Sequence, residues 1–130
     1  AGLSPVLVVV GAYADEVSRA VAGLPVQLVM NSTWQQGHST SVVRAVQALP
    51  ENTGAAVFLL SDQPQVPFRL VRSLVERHQD TVASIVAPLV DGQRGNPVLF
   101  DRDAFAELAR LRFDQGGRQL FSRFVVTWLP

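Results

Sequence analysis

The sequence predicts an α/β domain with a three-layer, mostly parallel sheet and a small hairpin insertion. Short apolar runs rich in β-branched residues alternate with amphipathic helical stretches along much of the chain. This order is typical of parallel strands joined by right-handed helical crossovers. The run Ala56–Leu60 is apolar at every position, as expected for a strand that is buried on both faces.

Length and composition restrict the function classes. A chain of 130 residues with 48% hydrophobic residues predicts one domain over residues 1–130 with a real core. Its net charge of zero argues against nucleic-acid binding, which normally shows a basic excess. The apolar runs are too short for a membrane span. Because cysteine is absent, disulfides and thiolate metal sites are excluded, and the cytoplasm is the expected location.

The first half of the chain supplies three strands and two helices. Each helix is followed by residues that end helices. Gly23 and Pro25 follow the first helix, and Pro50 follows the second. The predicted strands are Pro5–Val10, Val26–Met30 and Ala56–Leu60, and the predicted helices are Ala14–Ala22 and His38–Leu49.

The second half departs from strict alternation. Asp91-Gly92 is a hairpin-type turn, and Asp101 can cap a helix that runs to about Leu111. The remaining predicted elements are a helix at Pro67–His78, a strand at Ala83–Ala87 closed by Pro88, a short strand at Val98–Phe100, a short helix at Gln119–Phe124 and a last strand at Val125–Leu129.

The end of the central strand carries the first candidate site residue. Ser61-Asp62-Gln63-Pro64 follows the strand, and Pro64 cannot donate to a ladder, so pairing ends there. Asp62 is therefore expected at the carboxyl end of a central strand, where open α/β sheets bind ligands. A carboxylate there suits Mg²⁺. A lone Asp after a strand more commonly caps the next turn.

Two further stretches have a chemical and a purely structural interpretation. In Asn31–Ser41, backbone N–H groups at a helix start, with Gly37 and Ser41, could bind a nucleotide. The alternative is a loop with a half-buried Trp34 and a serine cap. The second stretch is Arg94-Gly95-Asn96-Pro97, whose guanidinium could bind a phosphate or a carboxylate. The alternative is a tight turn with an exposed arginine.

A glycine-rich turn supplies a second carboxylate. Asp114 precedes Gly116, Gly117 and Arg118. If Asp114 reaches Asp62, the two carboxylates could share a cation that removes their mutual repulsion. The commoner case is a helix-capping Asp beside a surface Arg.

In this order, these stretches resemble the MobA-like NTP transferases, and the nearest branch looks like the molybdenum-cofactor cytidylyltransferases and guanylyltransferases. The stretches are Asn31–Ser41, Leu60–Pro64, Gly92–Phe100 and Asp114–Arg118. The resemblance implies a Rossmann-like nucleotidyltransferase sheet. It also implies Mg²⁺-dependent transfer of a nucleoside monophosphate from CTP or GTP to molybdopterin, with release of pyrophosphate.

The resemblance also implies roles for individual residues. The implied catalytic residues are Asp62, Arg94 and Asn96; the nucleotide-binding residues are Asn31, Trp34, Gly37, Ser41, Gln63 and Pro64; the substrate-binding residues are Gly95, Gly116 and Arg118; and the metal ligands are Asp62 and Asp114. The implied partners are a nucleoside triphosphate, a molybdopterin-type cofactor and a molybdenum hydroxylase as acceptor enzyme, with no nucleic acid and no membrane.

One departure from the family is large. Its members begin with a strand and a loop of the type Leu-Ala-Ala-Gly-x-Ser-x-Arg-x-Gly followed by a lysine, and that loop holds the triphosphate. Nothing like it precedes Pro5, and the chain contains no lysine. An N-terminal truncation is therefore expected. The alternative function is a non-catalytic nucleotide- or cofactor-binding module. A receiver-like signalling domain ranks last, because its acidic pair and its late lysine are missing.

The departure also affects assembly. Without that strand, Pro5–Val10 and Ala56–Leu60 would each present an unpaired edge. Direct pairing of the two strands or a strand supplied by a second chain would resolve this, and a homodimer is the favoured expectation.

Overall fold

Residues 3–60, 63, 65–81, 83–112 and 120–130 are described by a computed structural model. They fall into two compact units. The five-stranded unit contains the described residues of Asn52–Phe105 and Leu120–Pro130, and the two-stranded unit contains those of Gly2–Glu51 and Ala106–Gln119. The single domain over residues 1–130 stays a prediction.

The two-stranded unit is a parallel strand–helix–strand arrangement. Strand β1 (Leu7–Val10) pairs in parallel with β2 (Gln27–Met30), and helix α1 (Ala14–Ala20) connects them. Helix α2 (His38–Ala48) packs against both strands and buries Val42. All four predicted elements of this region are therefore present, with shorter bounds, because apolar periodicity locates elements better than it locates their ends.

The five-stranded unit holds the larger core. Its strands are β3 (Ala55–Phe58), β4 (Ile85–Val90), β5 (Gln93–Arg94), β6 (Val98–Asp101) and β7 (Val126–Leu129). The strand order is β3-β6-β4-β5, and β7 also pairs with β4. Helix α3 (Phe68–Gln79) packs against β4, β6 and β7. Leu74 from this helix is fully buried with Val86 and Leu99 from the sheet.

The expected predominance of parallel pairing is not confirmed. In the five-stranded sheet, the pairs β3–β6, β4–β6 and β4–β5 are antiparallel, and the pair β4–β7 is parallel. The reason is that the chain reverses at Asp91 and Gly92, whose φ angles of 51° and 77° suit a two-residue hairpin turn. The returning chain then forms β6 between β3 and β4 instead of standing apart as an insertion. The three-layer arrangement stays a prediction.

Three local expectations also differ. Strand β4 does not close at Pro88 but runs through it to Val90. The helix expected from Asp101 to about Leu111 is a 3-10 turn (Arg102–Ala104) followed by the short α4 (Phe105–Leu108). Residues 120–124 form turns rather than the expected short helix, whose first residue, Gln119, lies outside the described part of the chain. In the last two cases, the local hydrogen bonds mostly join residues three apart, which tightens and ends a helix.

Both strands for which the sequence predicted an unpaired edge have a partner on one side only among the described residues. Strand β1 pairs with β2, and strand β3 pairs with β6. The homodimer stays a prediction. None of the helices in the described part of the chain combines the length and apolar character needed to cross a bilayer.

A polar network joins α3 to the amino-terminal end of β4. His78 Nε2 lies 2.8 Å from Asp101 Oδ1, and the other oxygen of Asp101 accepts the N–H of Asp103 at 3.0 Å. The Ser84 hydroxyl donates to Asp103 Oδ2 at 2.6 Å. Burial alone would raise the pKa of Asp101. The Asp103 N–H and His78 together lower this pKa by more than burial raises it, so it lies below the usual 3.8.

Asp101→Asn tests this network through its pH dependence. A lowered folded pKa means that Asp101 stabilises the fold above the unfolded pKa of 3.8 and loses this effect as the pH falls through the folded value. Asn still accepts an N-cap hydrogen bond but carries no charge. We expect the variant to be less stable by about 1 kcal/mol near pH ~6 and the difference to shrink near pH ~3.

Urea unfolding at both pH values measures the effect. Asp91→Asn is the control, because Asp91 lies in an exposed turn and Asn tolerates its positive φ. A stability difference between wild type and Asp101→Asn that is the same at both pH values would show that the Asp101 charge contributes nothing.

Candidate functional site

The carboxyl ends of three strands define one edge of the five-stranded sheet. Strands β3 and β4 are both antiparallel to β6, and β7 is parallel to β4, so β3, β4 and β7 run in the same direction. Their carboxyl ends lie at the same edge, which we call the carboxyl edge. Because open α/β sheets bind ligands at this edge, it is the candidate site of this unit.

A bulge interrupts the ladder at the carboxyl edge. Strand β6 pairs with β4 up to Leu99 opposite Val86, and β5 pairs with β4 from Arg94 opposite Leu89. The four residues 95–98 therefore lie opposite only two residues of β4. Extra residues of this kind bend a strand and redirect its side chains, and they are frequent beside active sites.

Two prolines explain the bulge. If the β4–β6 register continued, Pro97 would lie opposite Pro88. Neither residue has an N–H to donate, so the ladder cannot continue through this pair. The N–H of Gly95 instead donates to the Pro88 oxygen at 2.9 Å. A Cβ at Gly95 would lie only 3.3 Å from Pro88 Cγ, so glycine permits this close approach.

Three of the predicted site residues lie at the bulge, namely Arg94, Gly95 and Asn96. Arg94 and Asn96 are exposed on either side of the half-buried Gly95. Gln63 lies in the turn after β3, where its N–H donates to the Leu60 oxygen at 3.2 Å. The Arg94 guanidinium and the Asn96 amide thus lie at the bulge, and Gln63 follows a different strand of the same sheet.

In the two-stranded unit, Asn31 follows β2 and is 1% exposed. Its Oδ1 accepts hydrogen bonds from the Thr33 N–H at 3.1 Å and the Thr33 hydroxyl at 3.0 Å. Its Nδ2 donates to Thr40 Oγ1 at 2.9 Å and to Ser41 Oγ at 3.0 Å. A backbone N–H can only donate, so Oδ1 must face Thr33. Both donors and both acceptor positions of the amide are thus occupied.

The loop after β2 is held at several points. The Thr40 hydroxyl donates to the Gly37 oxygen at 2.7 Å, and Gly37 has a φ of 125°, which favours glycine. Trp34 is 42% exposed, and a Cβ at Gly11 would lie 2.9 Å from Trp34 Cβ. Gly11 therefore lets the end of β1 approach the tryptophan, which fixes the loop over the strand ends.

The predicted nucleotide-binding residues of this loop differ in how accessible they are to a ligand. Trp34 presents an exposed ring surface and Ser41 offers a hydroxyl at the start of α2. Asn31 is instead buried and saturated, so contact between its amide and a nucleotide would break an existing hydrogen bond. The hydrogen bonds of Asn31 position the loop, and nucleotide binding by Asn31 stays a prediction.

The remaining predicted site residues lie outside the described part of the chain. They are Asp62, Pro64, Asp114, Gly116 and Arg118. Among the described residues, no group of three or more His, Cys, Asp or Glu side chains could hold a metal ion. The metal site on Asp62 and Asp114 stays a prediction.

Sequence reasoning missed Thr33 and Thr40, which complete the hydrogen bonds of Asn31, and it missed Gly11. Thr33 and Thr40 also line a groove of about 320 Å³ together with Val43, Arg44, Gln47, Ala109 and Leu111. A usable signal existed for the threonines, because hydroxyl residues cluster around the buried amide at 32–33 and 39–41. A glycine directly after a strand was the corresponding signal for Gly11.

Comparisons with known proteins agree with this fold. The sequence matches the model of the MobA-like NTP transferase domain over residues 1–127. No curated protein matches the chain. Among solved structures, it is similar to Rv0371c from Mycobacterium tuberculosis H37Rv in complex with manganese, with 26% identity and a TM-score of 0.84 over 98% of this chain and 67% of that chain.

Two further structures extend the comparison. The Rv0371c homologue from Mycobacterium sp. strain JC1 has 27% identity and a TM-score of 0.79 over 98% of this chain and 64% of that chain. Molybdopterin-guanine dinucleotide biosynthesis protein A from Archaeoglobus fulgidus has 14% identity and a TM-score of 0.68 over 95% of this chain and 62% of that chain, which is a likeness of fold alone. The chain thus spans about two thirds of the length of these proteins.

Asn31→Ala tests the role of the buried amide. The substitution removes the hydrogen-bond partner of the Thr33 N–H and of the Thr33, Thr40 and Ser41 hydroxyls. We therefore expect a loss of about 1–3 kcal/mol of unfolding free energy. Asn52→Ala is the matched control, because Asn52 is exposed and should change stability by less than about 0.5 kcal/mol. Urea unfolding measures both. Equal effects of the two substitutions would contradict a structural role for Asn31.

Proposed function

The chain belongs to the MobA-like NTP transferase family, and on that basis we propose a specific nucleotidyl transfer. The proposed reaction joins a nucleoside monophosphate from CTP or GTP to the phosphate of molybdopterin or molybdenum cofactor and releases pyrophosphate. The match over residues 1–127 is the observation that carries this proposal. A solved relative of the same fold is a molybdopterin-guanine dinucleotide biosynthesis protein, which supports the choice of acceptor.

The carboxyl edge is proposed to bind phosphate. Arg94 offers a planar fork of N–H donors that matches phosphate oxygens, and Asn96 offers an amide beside it. Gly95 has no side chain, so a ligand could approach the backbone there. The location at the ends of β3 and β4 supports this assignment.

The loop of the two-stranded unit is proposed to bind the nucleotide. Trp34 offers an exposed ring surface, Gly37 keeps the backbone open, and Ser41 offers a hydroxyl at the start of α2. Asn31 holds these residues in place through its saturated amide. In the five-stranded unit, Gln63 and Pro64 are also proposed as nucleotide-binding residues.

Two carboxylates are proposed to hold Mg²⁺. Asp62 and Asp114 supply the oxygen ligands that this ion prefers, and Gly116 and Arg118 next to Asp114 are proposed to contact the cofactor substrate. When bound, a divalent cation would neutralise charge on the reacting phosphates. The manganese complex of Rv0371c supports a divalent metal in a similar protein. A molybdenum hydroxylase is proposed as the enzyme that receives the product.

Asp62→Asn tests the metal-dependent step. We expect release of pyrophosphate from CTP or GTP, in the presence of Mg²⁺ and molybdopterin, to fall about a hundredfold or more, since a bound cation contributes several kcal/mol to charge stabilisation. Asp80→Asn is the control, because Asp80 is exposed at the end of α3 and away from the carboxyl edge. An enzyme assay for pyrophosphate measures the difference.

Two outcomes would contradict this proposal. Undiminished release in the Asp62→Asn variant would remove Asp62 from the reaction. If the wild-type chain binds the nucleotide or the cofactor in calorimetry but releases no pyrophosphate, it is a non-catalytic binding module and not an enzyme.

A further inference from the structure

The side chain of Arg94 rests on an aromatic ring. Its guanidinium carbon lies over the Phe121 ring, 5.3 Å from the centroid. Among the residues that the structure describes, no carboxylate lies within ion-pair distance of this guanidinium. The cation is therefore held by a ring face, which attracts it without occupying its N–H groups.

Phe121 is itself held in place. It is half-buried, and its ring packs against Trp128 with a centroid distance of 5.7 Å and an interplanar angle of 49°. Trp128 lies on β7 opposite Ala87 of β4, and Arg94 lies on β5 opposite Leu89 of β4. The strand that carries the arginine and the strand that supports its ring are thus fixed to the same central strand.

We infer that Phe121 positions Arg94 for a phosphate group of the ligand. The five N–H donors of a guanidinium lie in its plane and at its edge, so a ring against one face leaves them available to phosphate oxygens. A long exposed arginine otherwise loses rotamer freedom when it binds. Contact with Phe121 restricts the side chain before the ligand arrives. The identity of the ligand rests on the proposed function.

A second arginine–phenylalanine contact provides a matched control. Arg72 lies over Phe68, 5.6 Å from the ring centroid. Both residues belong to α3, four positions apart on its surface, and Phe68 is 64% exposed. This pair has the same chemistry as Arg94 and Phe121, but it does not lie on the bulge at the carboxyl edge.

The first arm of the test examines the protein without ligand. Ring currents from Phe121 should shift the NMR signals of the Arg94 side chain. This shift should disappear in Phe121→Leu, which keeps an apolar side chain, and persist in Phe121→Tyr, which keeps the ring. Unchanged Arg94 signals in Phe121→Leu would overturn the inference. Phe68→Leu should leave the Arg94 signals unchanged.

The second arm measures binding of pyrophosphate by calorimetry. We expect Phe121→Leu to raise the dissociation constant about two- to fivefold, the factor that corresponds to an exposed cation–π contact. Phe121→Tyr and Phe68→Leu should bind like wild type, while Arg94→Gln should weaken binding at least as much as Phe121→Leu. Wild-type affinity in Phe121→Leu, or no binding by the wild-type chain, would overturn the inference.

The two arms separate this inference from the proposed function. Pyrophosphate binding that depends on Phe121, combined with no nucleotidyl transfer, would contradict the proposed function and support the positioning role. Transfer activity that is insensitive to Phe121→Leu, combined with wild-type pyrophosphate binding in that variant, would contradict only the positioning role.

Discussion

The meeting of two prolines controls the geometry of the five-stranded unit. Pro88 and Pro97 would face each other if the β4–β6 ladder continued, and neither can donate a hydrogen bond. The returning strand therefore leaves the ladder at the carboxyl edge and rejoins it two residues out of register. Arg94, Gly95 and Asn96 are exposed or half-exposed for this reason. A covalent property of proline thus determines where Arg94 lies.

The two-stranded unit solves a different problem, since it must hold a polar loop over the ends of only two strands. A buried amide that lacked partners would cost free energy, but Asn31 satisfies every polar atom through residues on both sides of the loop. The buried side chain stiffens the loop, and Trp34 remains exposed on its outside. In both units, a supporting residue contacts the segment that exposes another side chain: Asn31 bonds the loop that carries Trp34, and Phe121 lies against Arg94.

The sequence predicted what depends on local pattern. Apolar runs and helical periodicity located β1, β2, α2, β3 and α3, and Asp91-Gly92 was identified as a hairpin turn because few residues accept positive φ at both positions. The antiparallel insertion of β6 was not predictable in this way, because pairing between distant strands is set by packing of the whole sheet. For the same reason Pro88 was mistaken for the end of a strand.

The candidate site was predictable only in part. Arg94 and Trp34 stand out in the sequence as residues with binding chemistry, and the structure exposes both. Phe121 did not stand out, because it contacts Arg94 from a separate stretch of the chain. Thr33 and Thr40 lie in the same stretch as Asn31, but only the folded loop shows that they bond to its amide. Asp62 was singled out because it follows a predicted strand and Asp114 because it lies in a glycine-rich turn, and their implied roles rest on the family resemblance.

The proposed function requires that ligands bind at the carboxyl edge and at the loop held by Asn31. A titration of the isotope-labelled chain with CTP or GTP and Mg²⁺, followed by amide NMR shifts, tests this claim directly. We expect the largest changes in amide chemical shift in residues 59–63, 93–97 and 31–41. Shifts concentrated instead around Ser84, His78 and Asp101, which lie at the opposite edge of the five-stranded sheet, would contradict it.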